Sequence, residues 1–285
     1  MTMPRLFRRQ RVLLALLSAV GGKLGERDVQ WLLFDYGRRC RERGIEPPYD
    51  FIADEGGPRS FTAMADRDKL AARGFLVSGA WHLTPEGHRL AGNLKNGDVS
   101  VFAASGRSGG RDPVAGGKRR PPATRGRDEA ARSNGRPRGG LLATIGYEGR
   151  SYEAYFNELL RAGITRLCDV RRNPISRKWG FSKRLLQQGC DEFGIRYEPF
   201  RELGVDSGAR SDLTDRAAYE RLFAQYEATT LPRCQDAVAR IAGWIDAGDR
   251  VAITCYERDS GDCHRSRVAS AVMAAAAQPL RPKHL

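Results

Sequence analysis

Apolar residues fall on a helical period over Phe7–Ala19 and again over Glu26–Arg43, where Val29, Leu32, Leu33, Tyr36 and Cys40 mark one stripe and Gly44 closes the run. An extended stretch follows. Ser60 is placed to cap a third helix that runs to Arg73 and stops at Gly74. Phe75–Val77 and Trp81–Leu83 alternate as strands about a Ser-Gly turn. Thr84 and Pro85 then open another helix, as its N-cap and its first helical residue.

The pattern changes after residue 140. Strand-like runs at Leu141–Ile145, Arg166–Val170, Ile195–Glu198 and Arg250–Cys255 are separated by helical ones. The helices are expected at Ser151–Ala162, Ser182–Phe193, Ala217–Thr229, Pro232–Ala247 and His264–Ala276. Such alternation predicts an α/β fold of three layers, a parallel sheet covered on both faces with right-handed crossovers.

Between the two patterns, Ala103–Gly140 is rich in Gly, Ser, Pro and Arg and has no aromatic residue. It has too little apolar surface to offset the entropy of ordering, which predicts a disordered linker. The organisation expected is an α+β domain over 1–102, a basic linker over 103–140 and an α/β domain over 141–285.

Charge sharpens this division. The formal net charge is +14, and half of it sits in the linker, which holds 10 basic and 3 acidic residues. A single-sign stretch of that kind binds a polyanion or stays solvated. Val12–Val20, preceded by Arg5, Arg8, Arg9 and Arg11, has the look of a secretory leader but is too short to span a bilayer. Val20-Gly21-Gly22-Lys23 lacks a cleavage pattern, so a cytoplasmic protein with no membrane segment is expected. The six cysteines include no CxxC pair and read as reduced thiols, with Cys168 and Cys255 inside apolar runs.

In an open parallel sheet the residues that follow each strand lie along one edge, where helix N-termini present free N–H groups to a ligand. Gly146, Tyr147 and Glu148 follow the first strand. Asp169, Arg171 and Arg172 follow the second, with Ser176 and Arg177 just beyond. Tyr197 and Arg201 belong to the third. Cys255, Tyr256 and Glu257, then Cys263, His264 and Arg265, follow the last. Four distant segments are therefore expected to converge on one pocket.

Two resemblances are carried by these residues. Ile145-Gly146-Tyr147, Asp169-Val170-Arg171, Pro174, Ser176-Arg177, Gly194-Ile195, Tyr197, Leu203-Gly204, Cys255, Glu257 and Cys263-His264-Arg265 resemble the pattern of the domain of unknown function 488 family over roughly residues 141–275. Val205 stands where that pattern has a second glycine. The resemblance implies a fold and a candidate site, and no established reaction. The helix–helix–helix–hairpin order of the first domain, with Trp81 through Ala91, resembles a winged helix. Residues 49–76 are similar to a phage toxin–antitoxin-associated group of such domains. A winged helix docks on DNA or on a protein. The third helix carries Arg59, Arg67, Lys69 and Arg73 against Asp66 and Asp68, which is not a strongly basic reader helix.

The chemistry expected of the edge is as follows. Arg171, Arg177 and Arg265 are forked cations suited to phosphate, with Arg172 the arginine expected to brace loops against Asp169 or Glu257. Tyr147 and Tyr197, with Ser176 and His264, complete the ligand-binding set, the tyrosines stacking a base or donating hydrogen bonds. Glu257 and Asp169 are candidates for general acid and base, or for ion pairs with the arginines. Cys263, at a helix start beside His264 and Arg265, is a candidate reactive thiol. Zinc ranks below thiol chemistry, because adjacent Cys263 and His264 look awkward as ligands to one metal; no metal site and no cofactor is assigned. Three functions stay open: an enzyme on a nucleotide or nucleic acid, a ligand-sensing DNA-binding regulator, and a protein-interaction adaptor.

Overall fold

The computed structural model describes residues 5–54, 56–94, 139–206 and 215–285. The chain divides into two units, Met1–Arg125 and Gly126–Leu285. Apart from residues 139 and 140, the stretch read as a linker lies outside the described residues. Among the described residues no helix is long and apolar enough to cross a membrane.

The first unit runs α1 (Arg8–Ala19), β1 (Lys23–Leu24), α2 (Glu26–Glu42), β2 (Ile52–Asp54), β3 (Gly57–Arg59), α3 (Phe61–Ala72), β4 (Trp81–His82) and α4 (Pro85–Gly92). The expected caps form. Ser60 Oγ accepts from Ala63 N at 3.3 Å, and Thr84 Oγ1 accepts from Gly87 N at 3.1 Å. The apolar stripes of the helices meet in one core that includes Leu13, Leu16 and Leu17 of α1, Leu33 and Tyr36 of α2, Leu70 of α3 and Trp81. Of the expected hairpin, Phe75–Val77 keeps only the isolated Leu76–Leu83 bridge, while Trp81–His82 forms β4, which pairs antiparallel with β1. The stretch read as extended is itself a hairpin of β2 and β3.

Asp66 on α3 is buried against α1 rather than exposed. It pairs with Arg9 at 2.5 Å and accepts from Gln10 at 3.1 Å and from Tyr49 at 3.2 Å. A buried carboxylate persists when its lone pairs are satisfied in this way.

The second unit runs β5 (Leu141–Gly146), α5 (Tyr152–Arg161), β6 (Arg166–Asp169), α6 (Lys183–Glu192), β7 (Arg196–Pro199), α7 (Arg216–Thr229), α8 (Gln235–Asp246), β8 (Arg250–Cys255), α9 (Arg265–Ala275) and β9 (Lys283–His284). The sheet order is β7-β6-β8-β5-β9, and every pairing is parallel. β8 lies in the middle, between β5 and β6.

Side chains alternate across this sheet, as the strand period requires. Leu142, Cys168, Val251, Ile253 and Cys255 pack with Val238 and Ile241 of α8 and with Val268 and Val272 of α9. Thr254, on the opposite side, accepts from the Tyr155 hydroxyl of α5 at 2.8 Å, and Tyr155 meets Phe181 edge to face. Helices thus cover both faces, and the α/β reading holds.

Two details differ from the sequence reading. A 3-10 turn over Leu231–Cys234 takes Pro232, so the helix expected from that residue begins at Gln235. β9, a two-residue edge strand, was not anticipated. It is held by Thr144 Oγ1 against His284 Nδ1 at 2.7 Å, a tertiary contact with no signature in a two-residue window.

Candidate functional site at the carboxyl edge of the sheet

Parallel register brings the strand ends level: Gly146 faces Cys255 and Asp169 faces Thr254. Gly146 is a glycine for a steric reason. A Cβ there would stand 1.8 Å from the carbonyl oxygen of Glu257, so any side chain would force the β8 exit away from β5.

Behind this edge lies a saturated network around Asp169. Its Oδ1 accepts from Arg171 Nε at 2.7 Å and from the Arg171 amide at 3.2 Å. Its Oδ2 accepts from Arg171 Nη2 at 2.5 Å and from the Tyr197 hydroxyl at 2.6 Å. Arg171 Nη1 donates to the Tyr147 hydroxyl at 3.0 Å and to the Phe181 carbonyl at 2.7 Å. Tyr147 in turn stacks on Phe181, with centroids 4.4 Å apart and planes at 9°. Burial alone would lower the Arg171 pKa, but the hydrogen bonds and charge of Asp169 outweigh it and raise it. Burial, then the Asp169 charge, raise the Tyr197 pKa.

The arginine paired to Asp169 is therefore Arg171, and Arg172 next to it is exposed. Arg265 is spent in the same manner as Arg171. It is 2% exposed and donates to the carbonyls of Glu257 and Arg258, which ties the β8 exit loop to the start of α9.

In front of the network opens a pocket of about 440 Å³, lined by residues that include Arg172, Arg177, Lys178, Ser176, Glu148 and Tyr256, with Tyr147 and Arg171 also contributing. Arg172 and Arg177 are exposed. Lys178 is half-buried, donates to the Tyr147 carbonyl at 2.9 Å, and has its pKa lowered by burial. Ser176 Oγ accepts from the Lys178 amide at 3.2 Å and so shapes the loop. Tyr256, 45% exposed, meets Tyr147 edge to face at 5.3 Å and keeps a ring surface open to solvent. Gly204 lets the opposite loop approach: a Cβ there would lie 2.1 Å from the Arg172 amide.

At the pocket floor, Cys255, which lines it from the end of β8, meets Cys263 and His264 at the start of α9. One ligand atom from each lies within 4.8 Å of the others, and all three residues are buried. His264 Nδ1 is 3.8 Å from Cys255 Sγ and 4.0 Å from Cys263 Sγ, while Nε2 is 3.0 Å from the Val170 carbonyl. Glu257 Oε2 accepts from Cys255 Sγ at 3.3 Å. Burial pushes the Cys263 thiol well above its usual pKa, which runs against a resting thiolate nucleophile; Arg265 opposes the shift without overcoming it.

The residues expected to share one pocket thus separate into layers. Tyr147, Arg171, Ser176 and Arg177 line the open pocket. Glu257 lines a neighbouring cavity that shares Glu148 and Tyr256 with it. Asp169 and Tyr197 lie behind, in the bracing network. Cys263, His264 and Arg265 are buried. Lys178, absent from the sequence-derived set, is the cation next to Arg177 in the same loop, and that adjacency was its only signal.

Residues 151–272 match the family model described as Domain of unknown function DUF488. The match spans the Asp169–Arg171 pair, the Ser176-Arg177 loop and the Cys255–Arg265 segment, and starts after the Gly146-Tyr147 turn. Neither a search of curated proteins nor one of solved structures returns a match. The C-terminal part of the chain, which carries this sheet edge, is thus the part that matches the DUF488 family model.

Proposed function

We propose that the C-terminal domain binds a phosphate-bearing ligand, a nucleotide or a stretch of nucleic acid, in the open pocket at the carboxyl edge. One observation carries this reading: Arg172, Arg177 and Lys178 converge on that pocket beside an exposed aromatic ring, Tyr256, with Glu148 as the acidic residue among its lining. Guanidinium forks suit phosphate oxygens, and the open ring suits a base. The buried arginines then have a separate task, which is to hold the pocket wall rigid. Catalysis in this reading rests on Glu257, the candidate carboxylate that lines the neighbouring cavity.

The first unit is read as a winged-helix-like docking module. Arg67 on its α3 is held by Glu26 at 3.1 Å and by Asp68 at 2.8 Å, and Asp66 is buried. That leaves little net charge for a DNA groove and favours a protein partner.

The test is calorimetric titration of the full chain with mononucleotides and with short single-stranded DNA and RNA. The wild type is expected to bind at least one of them. Arg172→Ala with Arg177→Ala is expected to weaken binding at least tenfold, since each hydrogen bond to a charged group contributes about 1.5–3 kcal/mol. Equal affinity of the double variant would remove the pocket from the interaction. Glu257→Gln separates enzyme from sensor: turnover lost with affinity kept marks an enzyme, and no turnover in the wild type marks a sensor.

A further inference from the structure

We propose that Cys255, Cys263 and His264 bind one divalent thiophilic cation, zinc or a metal of its class, at the floor of the pocket. The inference does not rest on phosphate binding, because it asks nothing of Arg172 or Arg177; it shares only Glu257 with the catalytic part of that reading.

Distance is the first argument. Around a tetrahedral zinc with Zn–S near 2.3 Å and Zn–N near 2.05 Å, sulfur and nitrogen ligands stand about 3.6 Å apart. His264 Nδ1 lies 3.8 and 4.0 Å from the two sulfurs, so a contraction of a few tenths of an ångström closes each nitrogen–sulfur pair, and the two sulfurs lie within 4.8 Å of each other, where a tetrahedral zinc holds them about 3.8 Å apart.

The histidine tautomer is the second. Val170 offers a carbonyl, which can only accept, so Nε2 of His264 carries the proton in its 3.0 Å bond. The lone pair of neutral His264 is then on Nδ1, facing both sulfurs. A backbone carbonyl that fixes the far ring nitrogen is the usual outer support of a metal-bound histidine. It also answers the objection that Cys263 and His264 are adjacent: the ring reaches inward with Nδ1, its nitrogen nearest the backbone.

Charge is the third. Binding releases two thiol protons to solvent and takes up one dication, so two thiolates, a neutral imidazole and the metal sum to zero. A neutral assembly is one that a buried site tolerates. Two sulfurs and one imidazole select a soft or borderline metal over magnesium or calcium. A water as fourth ligand keeps that sum at zero; Glu257, with Oε2 3.3 Å from Cys255 Sγ, stands next to the cluster, and its carboxylate in that place would bring the assembly to −1.

The probe is Co²⁺, titrated into the reduced full-length protein without nucleotide. The expected result is saturation at one equivalent, with a thiolate-to-cobalt charge-transfer band, intense tetrahedral d–d bands, and loss of both on adding Zn²⁺. Cys255→Ser, Cys263→Ser and His264→Ala are each expected to weaken zinc at least a hundredfold in competition with a chromophoric chelator, while Cys190→Ser leaves it unchanged. If those variants fail to fold, the wild-type spectrum still decides. A wild type shown by thiol titration to be fully reduced that gives no thiolate band overturns the site. Variants that fold and keep wild-type affinity overturn it too.

Discussion

Asp169→Asn is the most demanding perturbation of the bracing network. In the native domain Asp169 is 1% exposed and Arg171 6% exposed, and both carboxylate oxygens accept from the guanidinium. Asparagine retains one acceptor oxygen and turns an NH₂ toward Arg171 Nη2 and the Tyr197 hydroxyl. The Arg171 cation stays buried without a counter-charge. Breaking one side of a buried pair costs about 3–5 kcal/mol. For a domain of this size each kcal/mol moves the midpoint by about 2–4 °C, so a fall of roughly 6–20 °C is expected. Scanning calorimetry of the full chain reads this in the transition assigned to the C-terminal domain, identified by its shift in the variant. The companion is Asp169→Asn with Arg171→Met, which removes the stranded charge and fills part of the space with an apolar chain. It is expected to recover most of the loss, because an apolar replacement of a whole buried pair is often close to neutral. A single variant that melts within about 2 °C of wild type, or a double variant no more stable than the single one, would refute the view that Arg171 is held there by Asp169.

Three further outcomes follow from the same geometry. Gly146→Ala, whose Cβ would meet the Glu257 carbonyl, is expected to yield an insoluble or strongly destabilised protein, read by soluble expression and melting; a native-like melt would show that the β8 exit can shift. The folded pKa of Tyr197 is raised above its unfolded value, so its contribution to stability is full below the usual tyrosine pKa and is lost as pH climbs above it; Tyr197→Phe is expected to flatten the fall in melting temperature between about pH 9 and pH 11. Deleting Arg107–Arg138, which carries most of the local positive charge, is expected to reduce the salt dependence of nucleic-acid binding, and an unchanged slope would make that stretch a spacer.

The architecture was legible where local chemistry and global fold agree. Ser60, Thr84 and Ser151 cap helices as their sequence context demands, and the apolar strand runs of the second domain sit in its sheet. The elements that escaped are those made by partners rather than by pattern. β9 exists because β5 has a free edge and His284 reaches Thr144, and neither fact appears in the sequence around Lys283. Cys255, Cys263 and His264 are readable from the sequence as three possible zinc ligands, but ranked below thiol chemistry because Cys263 and His264 are adjacent. Spacing arguments count residues, and the decisive feature is which ring nitrogen of His264 the distant Val170 carbonyl claims.

Arg171 and Arg172 show that part of the missing information was present in the chain. Side chains two apart on an extended backbone point to one side, and their immediate neighbours point to the other. Asp169 and Arg171 are such a pair at the end of β6, so the guanidinium that follows the carboxylate by two residues meets it directly, bidentate and out of water. Arg172 is turned the other way and reaches the open pocket. Reading the alternation past the end of the strand, where it persists for a residue or two, would have assigned the brace and the ligand-facing cation correctly. The same rule applies at the end of β8: Cys255 and Glu257 are two apart and meet at 3.3 Å, while Tyr256 between them is exposed at the pocket. At the ends of β6 and β8 the exposed residue of opposite parity, Arg172 or Tyr256, is the one turned out at the pocket, while its neighbours pair with each other across two residues. An arginine placed two residues after a strand-end carboxylate is a poor first choice for an anion site.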